Sequence, residues 1–253
     1  ARAGYGSRRA CEEFISKGQV TVNGQIATLG MKADPEKDRI EINGTVVRDA
    51  EPLKYFAVYK PRGVISAASS PEGRQTVRDL VDDPGRLYPV GRLDADSEGL
   101  ILLTNDGELT NRLTHPRYGH QKEYKVLVAI HPEQEQLETW RRGVILEDGY
   151  RTSPAKVWLE SFKGKGAWLR VIMGEGRKRQ IREIGKRIGV PIVKIIRIRI
   201  GTLQVGSLKP GQSRPLTPRK LIHSKRSNKR VYEPDPYTQH FEGIYYRLVF
   251  NLT

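Results

Sequence analysis

Gly91-Arg92-Leu93-Asp94-Ala95-Asp96-Ser97-Glu98-Gly99-Leu100-Ile101-Leu102-Leu103-Thr104-Asn105-Asp106-Gly107 joins a charged loop to an unbroken apolar run and a turn. The apolar run Leu100–Thr104 reads as a strand that follows the loop. Leu87-Tyr88-Pro89-Val90 precedes the loop as a second short strand, and Asn105-Asp106-Gly107 turns the chain into a short helix. Asp94, Asp96 and Glu98 put three carboxylates in the loop beside a single arginine, Arg92. On these residues alone, acids in such a loop most often form turns. Arg92, two residues before Asp94, favours an ionised carboxylate there, which can serve as nucleophile, base or metal ligand.

Outward from this loop the chain divides. Residues 7–16 read as a short amphipathic helix with Ser7 as its N-cap and Ala10, Cys11 and Phe14 inward. Val20-Thr21-Val22 and Gln25-Ile26-Ala27 flank Asn23-Gly24, a hairpin turn signal, and Ile40-Glu41-Ile42 alternates as a further strand. This small unit, residues 1–50, ends at a hinge near Asp49-Ala50-Glu51-Pro52. Residues 54–223 form the second domain. Its strands are expected at Tyr55–Tyr59, Glu123–Ala129, Val157–Leu159, Trp168–Met173 and Ile192–Ile200, with helices over 133–142 and 177–188. Strands and helices without regular alternation predict an α+β fold with a mixed, mainly antiparallel sheet flanked by helices. Trp140, Trp158 and Trp168 read as packing residues. Residues 224–253 are a basic linker and a tail, and 231–253 hold six of the sixteen Tyr and Phe residues of the chain.

The chain has 253 residues, 44 Lys and Arg against 29 Asp and Glu, a net charge of +15 and a mean hydropathy of −0.56. Residues 1–173 are almost balanced, and 174–230 carry 17 basic residues against two acidic ones. A block of this kind, interleaved with isoleucines at regular spacings, points to a folded surface for a polyanion. No apolar run approaches the length of a membrane span, and no N-terminal signal pattern is present. Cys11 alone makes neither an internal disulfide nor a cysteine metal site, which favours a cytoplasmic setting. The five histidines are scattered. Taken by itself, the acidic loop leaves open a metal-dependent nuclease.

The sequence from Gly91 through Gly107 closely resembles the catalytic motif of the pseudouridine synthases, in particular the RsuA/RluB/RluE/RluF branch that modifies ribosomal RNA. Lys122-Glu123-Tyr124 resembles the motif supplying that family's active-site tyrosine. Glu175-Gly176-Arg177-Lys178-Arg179-Gln180-Ile181-Arg182 resembles its third motif, whose last arginine pairs with the catalytic aspartate. Ala3–Arg9 with Gly18–Gly24 resembles an S4 RNA-binding domain. Such a domain ordinarily opens with one more basic helical turn, so the match implies an N-terminally truncated module. The resemblance covers about residues 1–222. It implies that Asp94 is the nucleophile, that Tyr124 stacks on the uracil, and that Arg182 holds Asp94 ionised through a bidentate contact. Arg92 and Leu93 would shape the loop entering the RNA, and Arg8, Arg9, Lys60, Arg177, Lys178 and Arg179 would contact it. Lys60-Pro61-Arg62-Gly63 resembles the family's early Lys-Pro-x-Gly turn. No cofactor and no metal are implied. The implied partners are ribosomal RNA with a flipped-out uridine and ribosomal subunit precursors, with no membrane, for a monomer. Thr114-His115-Pro116-Arg117-Tyr118 is most similar to the RluB type, acting on large-subunit (23S) rRNA. The small-subunit (16S) RsuA type and a non-catalytic ribosome-assembly factor are the alternatives.

Overall fold

The computed structural model describes residues 1–216 other than 2, 36 and 48–50. The expected hinge at Asp49-Ala50, residues 217–223 and the segment 224–253 lie outside the described residues.

The N-terminal unit follows its local signals. Helix α1 (Arg8–Ser16) starts where the Ser7 hydroxyl accepts the Ala10 N–H at 3.1 Å. Strands β1 (Val20–Val22) and β2 (Gln25–Ile26) meet through Asn23 and Gly24, both at positive φ, the geometry an Asn-Gly hairpin turn supplies. Strands β3 (Ile40–Ile42) and β4 (Thr45–Val46) complete an antiparallel sheet in the order β2-β1-β3-β4. Its core is Val20, Val22 and Ala27 with Phe14, Ile15, Ile40 and Ile42 against them. Cys11 is half-buried, and Ile15 joins Phe14 against the core.

The second unit is built on one large mixed sheet. Its elements are β5 (Tyr55–Lys60), β6 (Tyr88–Val90), β7 (Glu98–Thr104), α2 (Gly107–Thr114), β8 (Lys122–Val128), α3 (Gln134–Arg142), β9 (Lys156–Lys163), β10 (Gly166–Met173), α4 (Gln180–Arg187), β11 (Ile192–Ile200), β12 (Leu203–Gln204) and β13 (Ser213–Pro215). The sheet runs β13-β5-β7-β11-β8-β10-β9, with β6 paired to β7 and β12 to β11. Only β7 and β11 pair in parallel among the described strands.

Every residue of β7 is buried, because strand-period alternation sends its apolar run into two cores. Leu100 and Leu102 pack with Ala57, Leu109 and Leu113, while Ile101 and Leu103 pack with Val58, Val64, Val77 and Leu87. Across the sheet, Val126, Leu169, Val171 and Ile195 pack against Leu137 and Trp140 of α3 and Ile181 and Ile184 of α4. Among the described residues no helix is long and apolar enough to cross a membrane.

Helix α4 is shorter than its apolar spacing predicts. It begins at Gln180 rather than Arg177, because Arg179 adopts a left-handed conformation at φ +55 and the Arg177 N–H is taken by the Gln180 side chain at 2.9 Å. Arg177, Lys178 and Arg179 therefore form a turn ahead of the helix. A non-glycine residue held at positive φ is a local cost that packing must offset.

Candidate active site

The loop leading into β7 is held almost entirely by its backbone. The Arg197 guanidinium donates to Arg92 O at 3.3 Å and to Leu100 O at 2.8 Å. The Ser66 hydroxyl donates to Leu93 O at 2.8 Å and accepts the Leu93 N–H at 3.0 Å. Ala95 O accepts from the Gly63 N–H at 2.7 Å and from Lys60 Nζ at 3.3 Å. Ser97 N–H closes the turn on Asp94 O at 3.0 Å. The peptide groups on both sides of Asp94 are thus pinned, and among the described residues its carboxylate enters no ion pair within 4.0 Å. This is the arrangement expected of a preorganised reactive group: a fixed main chain carrying a side chain left available.

The other two carboxylates of the loop are engaged. Asp96 Oδ2 lies 3.0 Å from Arg182 Nη2 and its Oδ1 lies 3.6 Å from Arg179 Nη1. Arg182 also donates to Asp96 O at 3.3 Å and to Ile192 O at 3.4 Å. The expected direct pair between Arg182 and Asp94 is therefore not what the structure holds; Arg182 pairs with Asp96. The Ser97-to-Asp94 turn brings Asp96 under the arginine. Glu98 pairs with Lys194 at 2.9 Å. Among the described residues no group of three or more His, Cys, Asp or Glu side chains is placed to hold a metal ion.

Two cations lie beneath the loop. Lys60 is 0% exposed and donates to Pro61 O at 2.9 Å as well as to Ala95 O. Expected to contact RNA, it instead supports the loop from below. Burial pushes its pKa down to about 8, against the attraction of Glu98, Asp96 and Asp94, with Arg197 adding to the depression. Arg197, 3% exposed, has its Nη2 buried without a hydrogen-bond partner. Two arginines of the basic block do not reach that surface freely: Arg197 is internal, and Arg199 pairs with Glu123 at 2.7 Å.

Lys60 gives a pH prediction with a definite sign. Between about pH 8 and the ordinary lysine value, the unfolded chain holds the proton that the folded Lys60 has lost. Stability from this group therefore rises with pH through that window, and below it the cost of a buried charge is fully present. Melting temperatures of wild type and Lys60→Met at pH 7 and pH 9.5 should show the variant lacking this gain. Equal pH responses would contradict it.

Asp94, Arg92 and Leu93 line one cleft of about 270 Å³ with Tyr124, Met173, Arg177, Lys178 and Arg179. Tyr124 is 6% exposed and sits on β8, paired across the sheet with Arg197 and Val171. Leu93 and Tyr124 belong to the same apolar core. The basic turn Arg177–Arg179 lines the same cleft. Arg177 is tied to Asp148 at 2.7 Å and lies 3.9 Å over the Tyr150 ring. Tyr150 donates to Glu175 at 2.8 Å, and Ser153 and Gln180 bond the same carboxylate. Lys178 is exposed, with no ion pair among the described residues. Arg8 and Arg9 are exposed on α1.

Ser66 is the site residue that sequence reasoning missed. A lone serine in a loop carries no signal, and its role exists only because the chain brings it beside Leu93.

Residues 54–184 match the family described as RNA pseudouridylate synthase, and residues 1–40 match the S4 domain. The chain is 44% identical over 225 residues to ribosomal large subunit pseudouridine synthase B of Bacillus subtilis (strain 168), covering 87% of this chain and 91% of that one. It is 40% identical over 213 residues to the protein of the same name from Salmonella typhi, covering 80% and 72%. A crystal structure described as a pseudouridylate synthase superimposes with a TM-score of 0.62 at 29% identity, covering 87% of this chain and 94% of that one. A cleft lined by an aspartate, a buried tyrosine and a basic turn, on a sheet of this order, thus accompanies sequence similarity over most of the chain: the chain belongs to the RNA pseudouridylate synthase family, with an S4 domain ahead of the synthase domain.

Proposed function

We propose that the protein isomerises one uridine of large-subunit ribosomal RNA to pseudouridine, with Asp94 as the nucleophile, in the bacterial cytoplasm. The observation that carries this reading is the convergence of Asp94, Tyr124 and the turn Arg177–Arg179 on one cleft. The large-subunit assignment rests on the relatives that bear that name. On this reading residues 1–50 and 54–223 are the RNA-binding and synthase domains.

The reaction breaks the N1–C1′ glycosidic bond, turns the uracil within the cleft, and joins C5 to C1′; the C5 proton is released and N1 takes up a proton, so the product is an isomer. A carboxylate serves here because it attacks and later leaves, at the ribose C1′ or on the base. On this reading Tyr124, which shares the cleft and the apolar core with Leu93, stacks on the uracil. The cleft takes a single base out of its stack, at a cost of a few kcal/mol. Lys178 and the neighbouring cations supply attraction to the phosphates that offsets it.

Arg182 acts through the loop. It ties Asp96 to β11, so that Asp94 projects from a fixed turn. Arg182→Lys retains the charge and loses the planar fork, so it should lower kcat about 10²-fold through a shifted loop, with KM little changed. Equal kcat in the two proteins would contradict that role.

The test is release of tritium from C5-labelled uridine in unmodified rRNA transcripts, with EDTA present. Release that saturates at one uridine in the large-subunit transcript is expected. Release only from the small-subunit transcript would overturn the subunit assignment, and release from neither would overturn the enzyme reading in favour of a binding factor.

A further inference from the structure

We propose that residues 115–120 form a stacking platform for unpaired RNA bases next to the target uridine. The inference rests on the rRNA reading above. The His115 and Tyr118 rings lie 6.2 Å apart at 75°, and those of Tyr118 and His120 lie 6.4 Å apart at 36°. The Arg117 guanidinium lies 4.5 Å over the Tyr118 ring and donates to its hydroxyl. His115 Nδ1 accepts the Arg117 N–H at 3.2 Å, which fixes the turn. His115 and Arg117 are exposed, and Tyr118 and His120 are half-buried.

Both ends of this segment lie beside residues at or next to the cleft. Gly91 lines the cleft and sits so close to Thr114 that a methyl group on it would lie 3.6 Å from Thr114 Cγ2. At the other end, a methyl on Gly174, next to the cleft residue Met173, would lie 3.8 Å from Gly119 O. The segment that carries the rings therefore starts and ends beside the cleft.

The chemistry selects RNA over an acidic or apolar protein partner. Arg117 has no ion pair among the described residues, and a guanidinium stacked on a ring presents a flat cationic surface. Burial and the nearby Lys122 push the His120 pKa below its ordinary value, which favours a neutral ring able to stack. Flipping one uridine into the cleft leaves its neighbours with an open face. Aromatic rings and arginine planes are what unpaired bases stack on.

The test uses the full chain and the C5-tritiated large-subunit transcript. Tyr118→Ala should raise KM about tenfold while kcat stays within about twofold. Tyr118→Phe, which keeps the ring, should retain the wild-type KM. His115→Ala, at an exposed ring, should raise KM in the same direction and guards against a misfolded Tyr118→Ala protein. Unchanged KM in both alanine variants overturns the platform. So does a fall in kcat alone, or a Tyr118→Phe protein that behaves like Tyr118→Ala. If the wild type proves inactive, the proposed function fails instead. Filter binding of the same transcript then still reads the platform, with about tenfold weaker binding by Tyr118→Ala expected and equal binding overturning it.

Discussion

Asp94→Asn should abolish pseudouridine formation, with a loss of at least about 10⁴-fold, while the protein folds and binds RNA as before. The size of the effect follows from chemistry: an amide is neither an adequate nucleophile nor a good leaving group in this reaction. The selectivity follows from the structure. The main chain around Asp94 is held by Ser66, Gly63, Lys60 and Arg197, none of which bonds the carboxylate itself. Among the described residues, losing that charge breaks no hydrogen bond. The melting temperature should stay close to wild type, and transcript binding should be retained. Tritium release near the wild-type rate would contradict Asp94 as nucleophile.

Gly99→Ala should damage the scaffold severely. Gly99 lies in β7 at φ +107, where an L side chain is strained. A methyl group built there would lie 2.2 Å from Arg197 O and 2.6 Å from Arg197 N. Both are backbone atoms of the paired strand β11, so no side chain can swing away. The strands would have to part at the one parallel junction of the sheet, between Arg197 and Gly99. That movement would also carry off the guanidinium that holds Arg92 O. A cost of about 3–5 kcal/mol is expected from the overpacking and the strained φ together. Urea denaturation measures it, and a variant within about 1 kcal/mol of wild type would contradict the tight approach.

Much of this was legible from the residues. The apolar strand Leu100–Thr104, the Asn23-Gly24 hairpin and the Ser7 cap each follow from a local rule that the structure obeys. Motif order picked out Asp94, Tyr124 and the basic turn, which share one cleft. What spacing could not give was the partner of Arg182. Asp94 and Asp96 are two residues apart in one loop, and which of them meets the arginine depends on how the loop turns. The same limit hid Lys60 and Arg197. A lysine at the end of a strand and an arginine in an isoleucine-rich strand both read as surface charges. Their burial comes from the loop that folds over them. The early start expected for α4 failed for a local reason, the left-handed Arg179, that no apolar periodicity encodes.

The most direct test of the central claim is a pseudouridine map of both ribosomal RNAs from cells lacking this protein. The account predicts that a single large-subunit uridine stays unmodified, that the wild-type gene restores it, and that Asp94→Ala does not. An unchanged map, or restoration by Asp94→Ala, would contradict it.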